Sequence, residues 1–233
     1  MILKILDALE TLYHNEENPP NLKHSEPLDG LILTVLSQNT NDKNRDRAFE
    51  NLKANFPTWA DVVEAGASRL EDVIRVAGLA HTKSARIIEI LRKVREDFGD
   101  YSLKGLMTPP ALLVREYLRG LPGVGAKTAA CVLLFEFGLK AFPVDTHITR
   151  IARRTGIADV KAKPEEISEL FESVVPTPRC LGGHVNLIEH GRKVCRAQRP
   201  LCENCIVNIF CNRKGLINKN LSAVSKGHGE VES

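Results

Sequence analysis

Three sets of residues carry chemistry by their types and spacing. The stretch Leu121-Pro122-Gly123-Val124-Gly125-Ala126-Lys127-Thr128-Ala129-Ala130 puts a lysine at the start of a small-residue helix, just after a Pro/Gly turn. Glycine lets the backbone turn tightly and approach a partner closely. The free N–H groups of a helix start attract an anion, and phosphate is the natural guest. Val144-Asp145-Thr146-His147 opens another helix with a carboxylate at the N-cap, where backbone N–H groups and the helix dipole favour negative charge. Cys195, Cys202, Cys205 and Cys211 follow a C-x6-C-x2-C-x5-C pattern. Four thiolates so close in sequence can surround one metal centre, zinc or iron–sulfur.

Each set has a plainer reading. Gly120-x4-Gly125 before Lys-Thr imitates a P-loop, but Ala126 separates glycine from lysine, and Val114 to Leu118 continues a helix where that motif needs a strand. The glycines alone fit any helical hairpin with a surface lysine, Asp145 alone is an ordinary cap, and four cysteines alone suit structural zinc. Only one C-x2-C knuckle is present, where zinc sites usually have two. Cys131 and Cys180 fit no ligand spacing and read as buried or incidental.

Together the motifs are specific. The hairpin stretch resembles the helix-hairpin-helix of the endonuclease III family of DNA glycosylases, and Val144-Asp145-Thr146-His147-Ile148 resembles that family's aspartate motif. The resemblance implies a nucleophilic Lys127 and a catalytic Asp145. It also implies a 4Fe–4S cluster on the four spaced cysteines, with damaged double-stranded DNA as the partner. Leu121, Gly123, Val124, Gly125 and Thr128 of the hairpin would then meet the DNA backbone. The chemistry is coherent. Positive charge develops on the sugar as an N-glycosidic bond breaks, so an ionised carboxylate helps. A neutral lysine amine attacks the anomeric carbon to give a Schiff base, and elimination of the 3′ phosphate from that imine nicks the strand.

The same family usually reads Leu-Ser-Ala-Gln-Ala-Thr-Asp where this chain has Leu36-Ser37-Gln38-Asn39-Thr40-Asn41-Asp42. The family glutamine fills the gap left by the flipped nucleotide. Here Asn39 holds that register and Gln38 precedes it. A leucine at the position of Leu79 wedges into the DNA stack in the family. The implied activity is a bifunctional glycosylase/apurinic-apyrimidinic lyase acting on damaged, oxidised pyrimidines. The alternatives are a monofunctional glycosylase for mismatched or methylated bases, and a non-catalytic DNA-binding iron–sulfur module.

The elements that must position these residues are helices throughout. Ile2, Ile5, Leu6, Leu9 and Leu12 share one helical face. Ser25-Glu26-Pro27 caps a helix carrying Leu28, Leu31, Ile32, Val35 and Leu36, and Asp42 can cap the next. Ala48, Phe49, Leu52 and Phe56 form another face. Thr58 caps a helix from Trp59 to Ala65, and Ser68-x-x-Glu71 reads as a capping box for a further one. Thr108-Pro109-Pro110 reads as the start of the helix ahead of the hairpin. After Asp145, Ile148 and Ile151 point inward and Arg150, Arg153 and Arg154 outward. Arg192, Lys193, Arg196, Arg199, Arg213 and Lys214 form a basic fringe that can track a DNA backbone.

The expected fold is all-α and two-lobed. A helical barrel domain over 27–138 holds the hairpin, 1–26 and 139–213 form the cluster domain, and 214–233 is a flexible tail. Hydrophobic residues make up 43% of the 233, enough for a packed core, and the net charge of +3 permits nucleic-acid binding without arguing for it. Charges at Lys4 and Asp7 come too early for a signal peptide, and no apolar run spans a membrane. A monomeric cytoplasmic protein is expected, in which the six cysteines are thiols or metal ligands.

Overall fold

The computed structural model describes residues 1–15, 17–20, 23–108 and 110–213. The tail expected at 214–233, Lys214 of the basic fringe and Pro109 of the expected cap lie outside these. Among the described residues there is no strand, only ten α-helices and four short 3-10 turns. The chain divides into two compact units, one of Met1–Pro20 and Val144 onward, the other Asn21–Pro143.

In the second unit, α2 (Pro27–Ser37) is the central helix. Leu28, Leu31, Ile32, Val35 and Leu36 are wholly buried, each contributing roughly 1.5–3 kcal/mol by leaving water. Glu26 caps it by accepting from the Leu28 N–H at 3.2 Å, with Pro27 as the first helical residue. It packs on α3 (Asp42–Asn55), α5 (Ala80–Phe98) and α7 (Ala126–Phe135), while α4 (Trp59–Ile74) packs on α3 and α5, and α6 (Ala111–Gly120) on α7. Residues 23–26 are tied to this unit. His24 hydrogen-bonds to Glu136, and Glu26 accepts from Ser102 and Leu103.

The first unit is discontinuous in sequence. The helix α1 (Ile2–Glu10) buries Ile2, Ile5, Leu6 and Leu9 and packs on α10 (Thr177–Lys193), which also packs on α8 (Thr146–Thr155). Helix α9 (Pro164–Val174) buries Ile167 and Phe171. Arg179 of α10 reaches back to Asp7 and Glu10 of α1 at 2.7 and 2.8 Å.

Several expected helix ends move. Leu12 is 56% exposed, because α1 stops at Glu10 before its turn of the apolar stripe. Asn41, not Asp42, caps α3, its side chain accepting from the Asn44 N–H. Thr58 caps α4 in a full capping box with Asp61. The Ser68/Glu71 box does not form. Gly66, at φ 75° and ψ 172°, makes the break itself, and Glu71 pairs with His81 instead. Thr108 ends a 3-10 turn, and α6 starts at Ala111 after Pro110, with no side-chain cap.

Candidate functional site

The hairpin forms because its turn residues leave little choice. The Val124 N–H donates to the Leu121 carbonyl at 3.1 Å, and Gly123 sits at φ 69°. This is a type II turn, with proline second and glycine third as that turn prefers. A side chain at Gly123 is excluded twice over, since its Cβ would also lie 2.5 Å from Arg86 Cδ. Leu121 and Val124 are buried at 3% and 5% and pin the turn to the core. They therefore offer a partner backbone groups rather than side chains.

Gly125 is different. Its backbone is extended, at φ −81° and ψ 178°, and a Cβ there would meet nothing within 4 Å. Neither conformation nor internal packing asks for glycine, so its smallness leaves the surface open. The first intrahelical bond of α7 is Ala129 N–H to the Gly125 carbonyl, which leaves the N–H groups of Ala126, Lys127 and Thr128 without helical partners. Lys127 is exposed in this first turn, and among the described residues no carboxylate pairs with it.

Gln38 and Asn39 have separate fates. Gln38 ends α2 and donates from Nε2 to Thr128 Oγ1 at 3.3 Å, while Arg86 Nη1 donates to its Oε1 at 3.2 Å. It is a strut between α2, α5 and the hairpin. Thr128 is 9% exposed and serves that strut, so its hydroxyl is committed inward. Asn39 is exposed, in the left-handed region at φ 54°. Leu79 is likewise left-handed, at φ 49°, and 58% exposed, so it is not the buried turn residue that its apolarity alone would suggest. Left-handed backbone is costly for a β-carbon-bearing residue and is retained where neighbours enforce it.

The enforcing neighbour is one that sequence reasoning missed. Lys83 is 1% exposed, and its Nζ donates to the carbonyls of Leu36 at 2.7 Å and Ala77 at 2.9 Å. Those carbonyls lie three residues before Asn39 and two before Leu79. One buried ammonium thus fixes both projecting turns, although burial lowers the lysine pKa from its usual value. The signal was present, since Lys83 shares the stripe of Ile87, Leu91 and Val94, at a spacing that points inward.

In the first unit Asp145 caps α8, with Oδ1 accepting from the Ile148 N–H at 2.8 Å. The side chain is half-buried. His147 is held by Arg150, which donates at 3.0 Å to Nδ1. The arginines expected to face outward clasp other segments instead. Arg150 donates to the carbonyls of Cys195 and Gly191. Arg153 donates to Ala162. Arg154 donates to the carbonyls of Arg196 and Ala197 and to Cys195 Sγ at 3.4 Å. Lys193 pairs with Glu189, and Arg213 donates to Asn208. Arg192, Arg196 and Arg199 remain exposed.

Cys195, Cys202, Cys205 and Cys211 line one cavity with Ile151, Arg154, His190 and Val207. Among the described residues no three such side chains converge as ligands of a single ion. Burial pushes the Cys205 and Cys211 thiols up, and the neighbouring cysteines push the same way. A cation is what would keep all four ionised. Burial lowers His190 to about 4, so the ring whose Nε2 lies 3.4 Å from Cys205 Sγ is neutral. The Arg213 N–H donates to Cys211 Sγ at 3.4 Å. Cys131 and Cys180 are buried elsewhere.

Comparison with known proteins decides the family. The model described as HhH-GPD superfamily base excision DNA repair protein matches residues 32–177. The chain belongs to that superfamily. HhH-GPD membership makes it an enzyme, a DNA glycosylase of base excision repair. It is 37% identical to endonuclease III of Thermotoga maritima, over 83% of this chain and 86% of that one. It is 34% identical to endonuclease III of Escherichia coli K12, over 91% and 96% respectively. An endonuclease III trapped as a covalent intermediate with DNA superposes with a TM-score of 0.78 at 28% identity, covering 91% of this chain and 94% of that one. The HhH-GPD fold extends to a thermostable thymine-DNA glycosylase at 23% identity, with a TM-score of 0.75.

Proposed function

We propose that this protein is a bifunctional DNA glycosylase/apurinic-apyrimidinic lyase that removes damaged, oxidised pyrimidines from duplex DNA. The observation that carries the reading is Lys127, an exposed amine in the unpaired first turn of α7, directly after a glycine that leaves the surface open. The first-turn N–H groups receive a backbone phosphate, and the anomeric carbon of the flipped nucleotide comes to the amine. The amine bonds to C1′ and the base leaves with the glycosidic electron pair. Ring opening gives the iminium, loss of a C2′ proton expels the 3′ phosphate, and water frees the lysine. Asp145, one oxygen held by the Ile148 N–H, offers the other to the sugar cation. Asn39 fills the vacated gap, Leu79 wedges the stack, and Gln38 with Leu121, Gly123, Val124, Gly125 and Thr128 holds the hairpin against the backbone.

Wild-type protein given a panel of single-lesion duplexes is expected to release oxidised pyrimidines and nick the same strands. Borohydride added during turnover should yield a protein–DNA adduct. Base release without any adduct overturns the lyase reading in favour of a monofunctional glycosylase.

Cys195, Cys202, Cys205 and Cys211 are proposed to hold a 4Fe–4S cluster. Four thiols line one cavity in C-x6-C-x2-C-x5-C spacing, with one C-x2-C knuckle where zinc sites usually have two, and supply the donor set that a 4Fe–4S cluster takes. The cluster, when bound, orders the loop that carries Arg196 and Arg199. Anaerobically purified protein should be brown and contain about four irons and four labile sulfides per chain. Stoichiometric zinc in protein made with ample iron overturns the assignment. No described helix is long and apolar enough to cross a membrane. A monomer acting in the cytoplasm, on chromosomal DNA, completes the proposal.

A further inference from the structure

Helix α7 carries more than its lysine. Cys131 and Phe135 follow Lys127 at four and eight residues, on the same side of the helix. They line a cavity of about 360 Å³ with Gly30, Leu33, Thr34 and Ser37 of α2, Arg45 of α3, Lys23, His24 and Glu136. That volume falls in the ~300–1,000 Å³ range of small-molecule sites. One wall of the cavity continues into the hairpin. Ser37 adjoins Gln38, which is hydrogen-bonded to Thr128, the residue after Lys127.

Glu136 is 2% exposed. Its Oε2 accepts from the His24 N–H, and its Oε1 lies against His24 Nδ1, each at 3.0 Å. A carboxylate accepts about four hydrogen bonds, so capacity remains. The space for it is made by Gly30, where a Cβ would sit 2.0 Å from Glu136 Cδ. The two hydroxyls nearby have spent their protons. Thr34 Oγ1 donates to the Gly30 carbonyl at 2.7 Å, and Ser37 Oγ donates to the Thr34 carbonyl at 2.7 Å. What Glu136, Thr34 and Ser37 present to the cavity is therefore lone pairs.

We infer that this cavity receives the flipped base and that Glu136 selects pyrimidines bearing an exocyclic 4-amino group over their 4-oxo counterparts. The inference rests on the glycosylase reading above. Of the donors in the same lining, Lys23 is exposed, Arg45 is held by Asp42 and Asp46, and His24 is turned to Glu136 itself. An amino group that reaches Glu136 therefore meets acceptors, whereas a carbonyl at the same place sets oxygen against oxygen and leaves buried polar groups unpaired. Leu33 and Phe135 supply the apolar flanks along which a flat ring lies.

Two lesions that differ at this group and in the N3 proton that accompanies a 4-oxo group, 5-hydroxycytosine and 5-hydroxyuracil, test it in otherwise identical duplexes. Wild type should release 5-hydroxycytosine at least about 10-fold faster at subsaturating enzyme. Glu136→Gln keeps the size of the side chain but turns one acceptor into an N–H donor. It should collapse or invert the ratio, whereas simple loss of folded protein would lower both rates equally. Nicking of a preformed abasic duplex by wild type separates the two levels. Nicking with less than about threefold discrimination overturns the amino-reading pocket and leaves the lyase reading standing. Release of neither lesion together with no abasic nicking overturns both. A wild-type preference that survives unchanged in Glu136→Gln removes Glu136 as the reader.

Discussion

Replacing Lys127 by glutamine is expected to abolish the borohydride adduct and to slow strand nicking by at least about 1,000-fold, the scale on which loss of a nucleophile or its partner disables a covalent catalyst. Glutamine keeps the length and polarity of the side chain and removes only the reactive amine. Lys127 is exposed, and no described carboxylate pairs with it, so the fold should lose no more than about 0.5 kcal/mol. Thermal unfolding and lesion-duplex affinity should therefore stay near wild type. In the wild-type adduct, digestion and mass spectrometry should find the cross-link on the peptide containing Ala126-Lys127-Thr128. An adduct that persists in Lys127→Gln puts the nucleophile elsewhere, and the central assignment is then wrong.

Asp145→Asn is the second large effect. Asparagine caps helices as well as aspartate does, so the Ile148 N–H that Oδ1 now receives remains satisfied and α8 should keep its start. What disappears is negative charge beside the sugar. Loss of one preorganised electrostatic partner costs about 100- to 1,000-fold, and the loss should fall on base release, where the cation develops. Nicking of a preformed abasic duplex should fall much less. Equal losses in the two assays would mean that Asp145 serves the amine chemistry or the fold rather than glycosidic cleavage.

What the sequence made legible was local. The hairpin could be read because a type II turn demands proline and glycine at adjacent positions. The Asp145 cap could be read because its acceptor and donor lie three residues apart. The cysteine quartet declared itself by spacing. What stayed hidden depended on partners far along the chain. Periodicity places Arg150 and Arg154 off the apolar stripe, but their acceptors lie 41 to 45 residues away, at the end of α10 and in the cysteine loop. Gln38 and Asn39 are indistinguishable as polar loop residues until the bond from Gln38 to Thr128, 90 residues on, separates strut from projection. Glu136 reads as one charge at the end of an apolar helix, and only the gap at Gly30, more than a hundred residues earlier, explains how it is accommodated. The Ser68/Glu71 box failed for the opposite reason, because a glycine two residues upstream had already broken the helix.

The discontinuity of the first unit sets an order of events during synthesis. The helix α1 leaves the ribosome well before the rest of its unit, and the Arg179 that bonds Asp7 and Glu10 follows some 170 residues later. Until α9 and α10 emerge, Ile2, Ile5, Leu6 and Leu9 lack the helices that cover them, while the continuous stretch to Pro143 can complete its own core. The nascent chain is thus a finished helical body trailing a sticky leader, and its last assembly step closes a loop of most of its length. Such a closure costs only logarithmically more than a short one in entropy. The longer penalty is time, during which that leader is available to chaperones and to other nascent chains.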